Sequence, residues 1–208
     1  PTVAGLLLEK ELDYLGRALS RPGRPFVAIL GGAKISDKID VIASLLERAD
    51  RVLIGGGMAN TFFRAQGIEV ADSLVEGAAL ETARALLQQA GDTLVLPPEV
   101  VIADGFNADA AFRSIPVSAG VPVGWRILDI GSDSVERFAI HVGVARMIFW
   151  NGPMGVFELP PFAAGTKAVA RLVAESDATS IVGGGDSVAA VRQSGLAGEI
   201  THISTGGG

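Results

Sequence analysis

Phe26-Val27-Ala28-Ile29-Leu30-Gly31-Gly32-Ala33-Lys34-Ile35-Ser36-Asp37-Lys38 decides the fold, because its two halves ask for different backbone. The first five residues are apolar without a break, the look of a strand buried on both faces of a parallel sheet. Two glycines end that run. Ile35, Ile39, Ile42 and Leu46 then recur at i, i+4, i+7 and i+11, one face of a helix. A buried strand that runs through glycine into a helix is half of a βαβ unit.

The same grammar repeats outward. Further apolar runs stand at 51–54, 93–96, 100–103, 127–130, 147–150, 180–182 and 200–204. Helical stripes lie between them: Leu8, Leu12, Leu15 and Leu19; Ala79, Ala83, Leu86 and Ala90; Val135, Phe138 and Val142; Phe162, Val169 and Val173. These stripes are core faces. Strand and helix in alternation predict an α/β fold, a doubly wound and mostly parallel sheet in a three-layer α/β/α, Rossmann-like arrangement with right-handed crossovers. Pro97-Pro98 and 115–124 read as turns or an excursion from the sheet. A length of 208 residues without a Ser/Pro-rich linker predicts one domain.

Composition narrows the function. The chain has no cysteine, so disulfides, thiolate catalysis and cysteine zinc sites are excluded. Its two histidines, His141 and His202, leave little for a histidine metal site; the first reads as a surface residue and the second as a core one. A formal charge of −6 argues against a broad nucleic-acid-binding face. No apolar run approaches the roughly 18 residues that cross a bilayer, and a cytoplasmic monomer is expected. Of 17 basic residues 13 are arginine, yet two of the four lysines, Lys34 and Lys38, stand together after the first strand.

Ligands of such sheets bind beyond the carboxyl ends of the strands. Four runs end there in glycine: Gly31-Gly32, Gly55-Gly56-Gly57, Gly183-Gly184-Gly185 and Gly206-Gly207-Gly208. Asn151-Gly152-Pro153-Met154-Gly155 follows a fifth. Backbone without Cβ lets a ligand approach closely, and a helix starting there turns free N–H groups toward an anion. Lys34 and Lys38, four apart with Ser36 as N-cap, are expected on one helical face at that positive end, gripping phosphates or standing as solvated surface lysines. Asp186 is an N-cap carboxylate or a Mg²⁺ ligand, since that ion needs only one or two protein acids beside phosphate oxygens. Glu158 is a ribose acceptor or a loop acid, and Trp150 and Phe157 read as packing. Neither the Walker spacing nor the dinucleotide fingerprint is present, which leaves NAD a distant alternative.

Together, Gly31-Gly32-Ala33-Lys34-Ile35-Ser36-Asp37-Lys38, Gly55-Gly56-Gly57-Met58-Ala59, Trp150-Asn151-Gly152-Pro153-Met154-Gly155-Val156-Phe157-Glu158, Gly183-Gly184-Gly185-Asp186-Ser187 and His202-Ile203-Ser204-Thr205-Gly206-Gly207-Gly208 resemble phosphoglycerate kinases in order and spacing. The resemblance covers essentially the whole chain. It implies the C-terminal, nucleotide-binding domain of an enzyme that moves a phosphoryl group between 1,3-bisphosphoglycerate and Mg-ADP, giving 3-phosphoglycerate and ATP. Carried onto matching positions, Lys34 and Lys38 bind nucleotide phosphates and the group in flight. Gly32, Ala33, Gly57 and Leu74 border adenine, with Asn151, Pro153, Gly155 and Val156 further along. Glu158 takes the ribose hydroxyls and Asp186 the Mg²⁺. The amides of Gly184, Gly185, Ser187, Gly207 and Gly208 face the transferring phosphoryl.

Two departures accompany the resemblance. Many members carry glycine where Ile127 stands, beside the base. Residues 1–20 resemble the start of the helix joining two domains, while the glycerate-binding N-terminal half and the tail after Gly208 are missing from the sequence. The expectation is therefore a fragment that holds nucleotide and does not turn over alone. The alternative is a non-catalytic adenine-nucleotide-binding module.

Overall fold

The computed structural model describes residues 22–204. The expected interdomain helix over 1–20, with its leucine stripe, and Gly206-Gly207-Gly208 lie outside the described residues. Six strands form the main sheet: β1 (Phe26–Leu30), β2 (Arg51–Ile54), β3 (Leu94–Val95), β7 (Met147–Asn151), β8 (Thr179–Gly183) and β9 (His202–Ile203), in the order β3-β2-β1-β7-β8-β9. Every pairing in it is parallel. The chain winds outward from β1 to one edge and from β7 to the other, so the β1/β7 boundary is the topological switch point, where such sheets bind ligands.

Helices α1 (Ile39–Arg48), α2 (Gly57–Ala65) and α3 (Leu80–Ala90) cover one face, and α4 (Ser132–Val142), α5 (Ala164–Ala174) and α6 (Gly185–Gln193) the other. Strand alternation divides the core accordingly. Phe26, Ala28 and Leu30 of β1 pack with Val41, Ile42, Leu45 and Phe62, while Val27 and Ile29 pack with Trp150, Phe138, Val169 and Val191. All five residues of β1 are buried, and each large side chain among them stabilises the fold by about 1.5–3 kcal/mol. The three layers expected from the sequence are present. Among the described residues no helix is long and apolar enough to cross a membrane.

Two apolar runs expected in the main sheet leave it. Residues 100–103 and 127–130 lie in β4 (Glu99–Ala103) and β6 (Arg126–Ile130), which flank one another antiparallel in a second sheet ordered β5-β4-β6. Its other edge, β5 (Phe112–Pro116), lies in and just before the stretch read as turns, and is mostly exposed. A continuous apolar run reports only that both faces are covered. Here the cover is α2, α4 and α5 packing on β4 and β6, not a layer on each side of the parallel sheet. His202 is likewise exposed on edge strand β9, not a core histidine as its apolar neighbours suggested.

Candidate functional site

The loops after β1, β2 and β7 meet at the switch point through their backbones. The Gly31 amide donates to the Asn151 carbonyl at 3.0 Å and Gly32 to Pro153 at 3.1 Å. Gly56 donates to Met154 at 2.9 Å and Met58 to Gly32 at 2.9 Å. Glycine is required because the chains nearly touch. A Cβ on Gly31 would lie 2.0 Å from the Pro153 carbonyl oxygen, and one on Gly56, which has φ 66°, would lie 2.7 Å from the Gly32 nitrogen.

Lys38 spans the same boundary. Its half-buried ammonium donates to the Gly31 carbonyl at 2.8 Å, the Asn151 carbonyl at 3.2 Å and Asn151 Oδ1 at 2.8 Å, so one cation joins the ends of β1 and β7. The helical pairing expected for the two lysines is not formed. Helix α1 starts only at Ile39, with Lys38 as its N-cap, while Lys34 stands exposed in the loop after β1. Ser36 caps nothing. Its amide donates to Glu76 Oε2 at 3.0 Å and its hydroxyl to Glu76 Oε1, so a partner 40 residues away claims both groups. Burial pushes the Glu76 carboxyl up, but the Ser36 and Ile35 hydrogen bonds and the Lys34 charge outweigh it and hold the group below its ordinary value.

Below the rim opens a cleft of about 560 Å³ between the rim loops with α2 on one side and β6 on the other. Of the residues expected at a nucleotide, Gly32, Ala33, Gly57 and Leu74 line it, as do Pro153, Gly155 and Val156. Leu74 is 54% exposed and Phe106, in the same lining, 60%, leaving apolar surface open in the cleft. Ile127 contributes to the same wall. Three exposed carboxylates, Asp72, Glu158 and Asp186, also stand in the lining, the first of them paired with Arg126 at 3.6 Å. Asp186 sits in the first turn of α6, whose N-terminus carries Gly184 and Gly185. Asn151 and Ser187 are buried beneath that turn. The Ser187 hydroxyl donates to the Gly183 carbonyl at 2.5 Å and accepts from the Gly152 amide at 2.9 Å, tying β8 to the loop after β7. Trp150 is fully buried, its indole N–H on the Gly152 carbonyl at 2.8 Å, in keeping with a packing role.

Asp129 also lines the cleft, and the sequence reading left it unmarked. Asp129, near the end of β6, is 2% exposed and accepts from the Ile130 amide at 2.9 Å and from the Gly165 amide, in the first turn of α5, at 2.8 Å. Burial pushes its carboxyl up to about 7, and the two N–H bonds offset that only in part. The signal was available: an acid inside Ile127-Leu128-Asp129-Ile130 must find partners if the strand is buried.

As for a metal, among the described residues no group of three acids or histidines is assembled. A lone exposed Asp186 at a helix N-terminus fits Mg²⁺ that arrives on phosphate oxygens, and would not suit an ion held by protein alone.

A family model described as phosphoglycerate kinase matches residues 1–208. The phosphoglycerate kinase of Rubrobacter xylanophilus is 59% identical over 208 residues, covering 100% of this chain and 53% of its own length. That of Chloroflexus aurantiacus is 56% identical over 214 residues, again with 100% and 53% coverage. Solved structures of phosphoglycerate kinase from Coxiella burnetii and Pyrococcus horikoshii superpose with TM-scores of 0.90 and 0.82 at 40% and 34% identity, each covering 97% of this chain and 52% of the other. The chain thus spans about half the length of the relatives it matches. On sequence, fold and the family model alike, the chain belongs to the phosphoglycerate kinase family.

Proposed function

We propose that this chain is the nucleotide-binding, C-terminal domain of a glycolytic kinase, holding Mg-ADP or Mg-ATP for reversible phosphoryl transfer from 1,3-bisphosphoglycerate. The observation that carries the reading is Lys38, fixed across the switch point beside Gly32 at the edge of a mostly apolar cleft whose lining includes Glu158 and Asp186. In this reading the base lies against Gly32, Ala33, Gly57 and Leu74, with Asn151, Pro153, Gly155 and Val156 along the cleft and Glu158 at the ribose. Lys34 and Lys38 neutralise phosphate charge. Asp186 holds the Mg²⁺, which neutralises charge on the transferring oxygens.

The chemistry needs no general base. An ionised β-phosphate oxygen of ADP attacks the phosphorus of the acyl phosphate, the bond to the carboxyl oxygen breaks, and the electron pair leaves on a carboxylate. No proton moves. What remains is alignment and charge neutralisation, the work of lysines and of amides at a helix N-terminus, here Gly184, Gly185 and Ser187, joined in this reading by the amides of Gly207 and Gly208. The chain spans about half the length of its relatives, and in this reading the glycerate side belongs to the other half, so that these 208 residues by themselves bind without turning over. We place the protein in the cytoplasm, as a monomer.

Calorimetry of the chain with Mg-ADP tests this. Binding that Lys34→Ala and Lys38→Ala both weaken supports the reading; no heat at millimolar nucleotide rejects it. Adding an N-terminal half from a relative in trans decides the catalytic part: restored transfer supports a kinase domain, and binding without turnover points to a non-catalytic module.

A further inference from the structure

The loop that carries the two lysines is held at its ends by different means. At one end the Gly32 amide donates to the Pro153 carbonyl at 3.1 Å, and the Gly32 carbonyl accepts from the Met58 amide at 2.9 Å. At the other, the Lys38 ammonium is fixed on Gly31 and Asn151. Lys34 lies between them, exposed. Among the described residues, the hydrogen bonds made by the amides of residues 33–37 go to one acceptor, the Glu76 carboxylate, from Ser36 and Ile35. The Ser36 hydroxyl takes the other oxygen of the same carboxylate. Glu76 is itself anchored. Its amide donates at 3.1 Å to Oγ1 of Thr61, which is fully buried in α2, and its carbonyl accepts from the Ala79 amide at 2.9 Å.

We infer that Glu76 is a positioning residue for Lys34: acting through Ser36, it fixes the turn that presents the Lys34 ammonium to a phosphate. The inference rests on the nucleotide reading above. On charge alone an acid is out of place here, because a carboxylate repels the phosphates that Lys34 would receive. Both its oxygens, however, already accept from Ser36. Backbone ordered in advance spares a ligand the cost of ordering it. The clamp serves the phosphate end and not the base. Ala33 follows the anchored Gly32 and lies close to Gly57, where an added Cβ would stand 3.2 Å from both the Ala33 Cα and Leu74 Cδ2. Lys38 is held by its own ammonium. Charge and position therefore predict opposite signs for the loss of this acid: removing a bare negative charge strengthens ADP binding, and removing a clamp weakens it.

Calorimetry with Mg-ADP and with adenosine, which has the base and ribose without phosphate, compares the wild-type chain with Glu76→Gln and Glu76→Ala. Each is also made in a Lys34→Met background. Both Glu76 variants should bind ADP about threefold or more weaker than wild type, and adenosine equally well. With Lys34→Met, ADP binding should already be weaker, and neither change at Glu76 should weaken it further. Ser36→Ala, which deletes one bond of the clamp, should fall between wild type and Glu76→Ala. Unchanged or tighter ADP binding by the Glu76 variants overturns the inference, as does a Lys34→Met chain that binds ADP like wild type. A parallel loss of ADP and adenosine, the mark of a merely structural acid, also overturns it, and so does a loss that persists without Lys34. A wild type that binds neither ligand refutes the nucleotide reading itself, and this inference with it.

Discussion

Replacing Lys38 by methionine keeps the aliphatic stem and deletes the ammonium, and the surroundings set the cost. That group donates to the Gly31 carbonyl, the Asn151 carbonyl and Asn151 Oδ1 at 2.8, 3.2 and 2.8 Å. A hydrogen bond from a charged donor contributes about 1.5–3 kcal/mol net. Three bonds sharing one half-buried ammonium do not add, so the loss should be roughly that of one or two such bonds, about 2–3 kcal/mol. For a chain of this size that is a fall in Tm of about 4–12 °C. Lys34→Met, at an exposed turn position, should stay within about 0.5 kcal/mol of wild type. Urea unfolding followed by circular dichroism reads both. If the two lysines were an equivalent pair on one helix face, their variants would behave alike. Equal losses, or a Lys38→Met chain as stable as wild type, would refute the claim that this cation joins β1 to β7.

Asp129 gives a pH signature. Its folded carboxyl titrates at about 7 against 3.8 for the unconstrained group, so the folded state keeps the proton longer. Its stability contribution is full below about pH 3.8 and is lost as pH rises through 7. The stability difference between wild type and Asp129→Asn should therefore shrink by roughly 3 kcal/mol between about pH 4.5 and 7.5; a constant difference in urea titrations at the two pH values rules it out. Gly155→Ala places a Cβ 2.2 Å from Asp129 Oδ1 and 2.7 Å from the Leu128 carbonyl oxygen, and should cost about 2–3 kcal/mol in the same assay. In calorimetry, Asp186→Asn should weaken ADP several-fold with Mg²⁺ present and leave Mg²⁺-free binding unchanged; an equal loss in both conditions counts against a metal role.

The layered sheet was legible because its evidence is local. An unbroken apolar strand and a 3.6-residue stripe are visible within a dozen residues, and α1, α3, α4 and α5 appear where those stripes run. The misplacement of β4 and β6 has the same origin. Pairing direction depends on which strand arrives alongside, and Val100 finds Ile115 and Ile130 only after the chain has folded. At the site, the glycine clusters announced themselves by composition. Ser36 did not: a serine after a strand reads as a cap until Glu76 takes its donors.

The stitching between the loops after β1, β2 and β7 has a thermodynamic consequence. Loop amides ordinarily exchange with solvent through small, inexpensive openings. Those of Gly31, Gly32 and Gly56, with Met58 in the first turn of α2, are held by carbonyls of neighbouring segments, so releasing one disturbs the others. They should exchange as slowly as the strands beneath them, as one cooperative unit. A ligand settling on that surface meets backbone already ordered in the fold, and little of its binding free energy is consumed in ordering the protein.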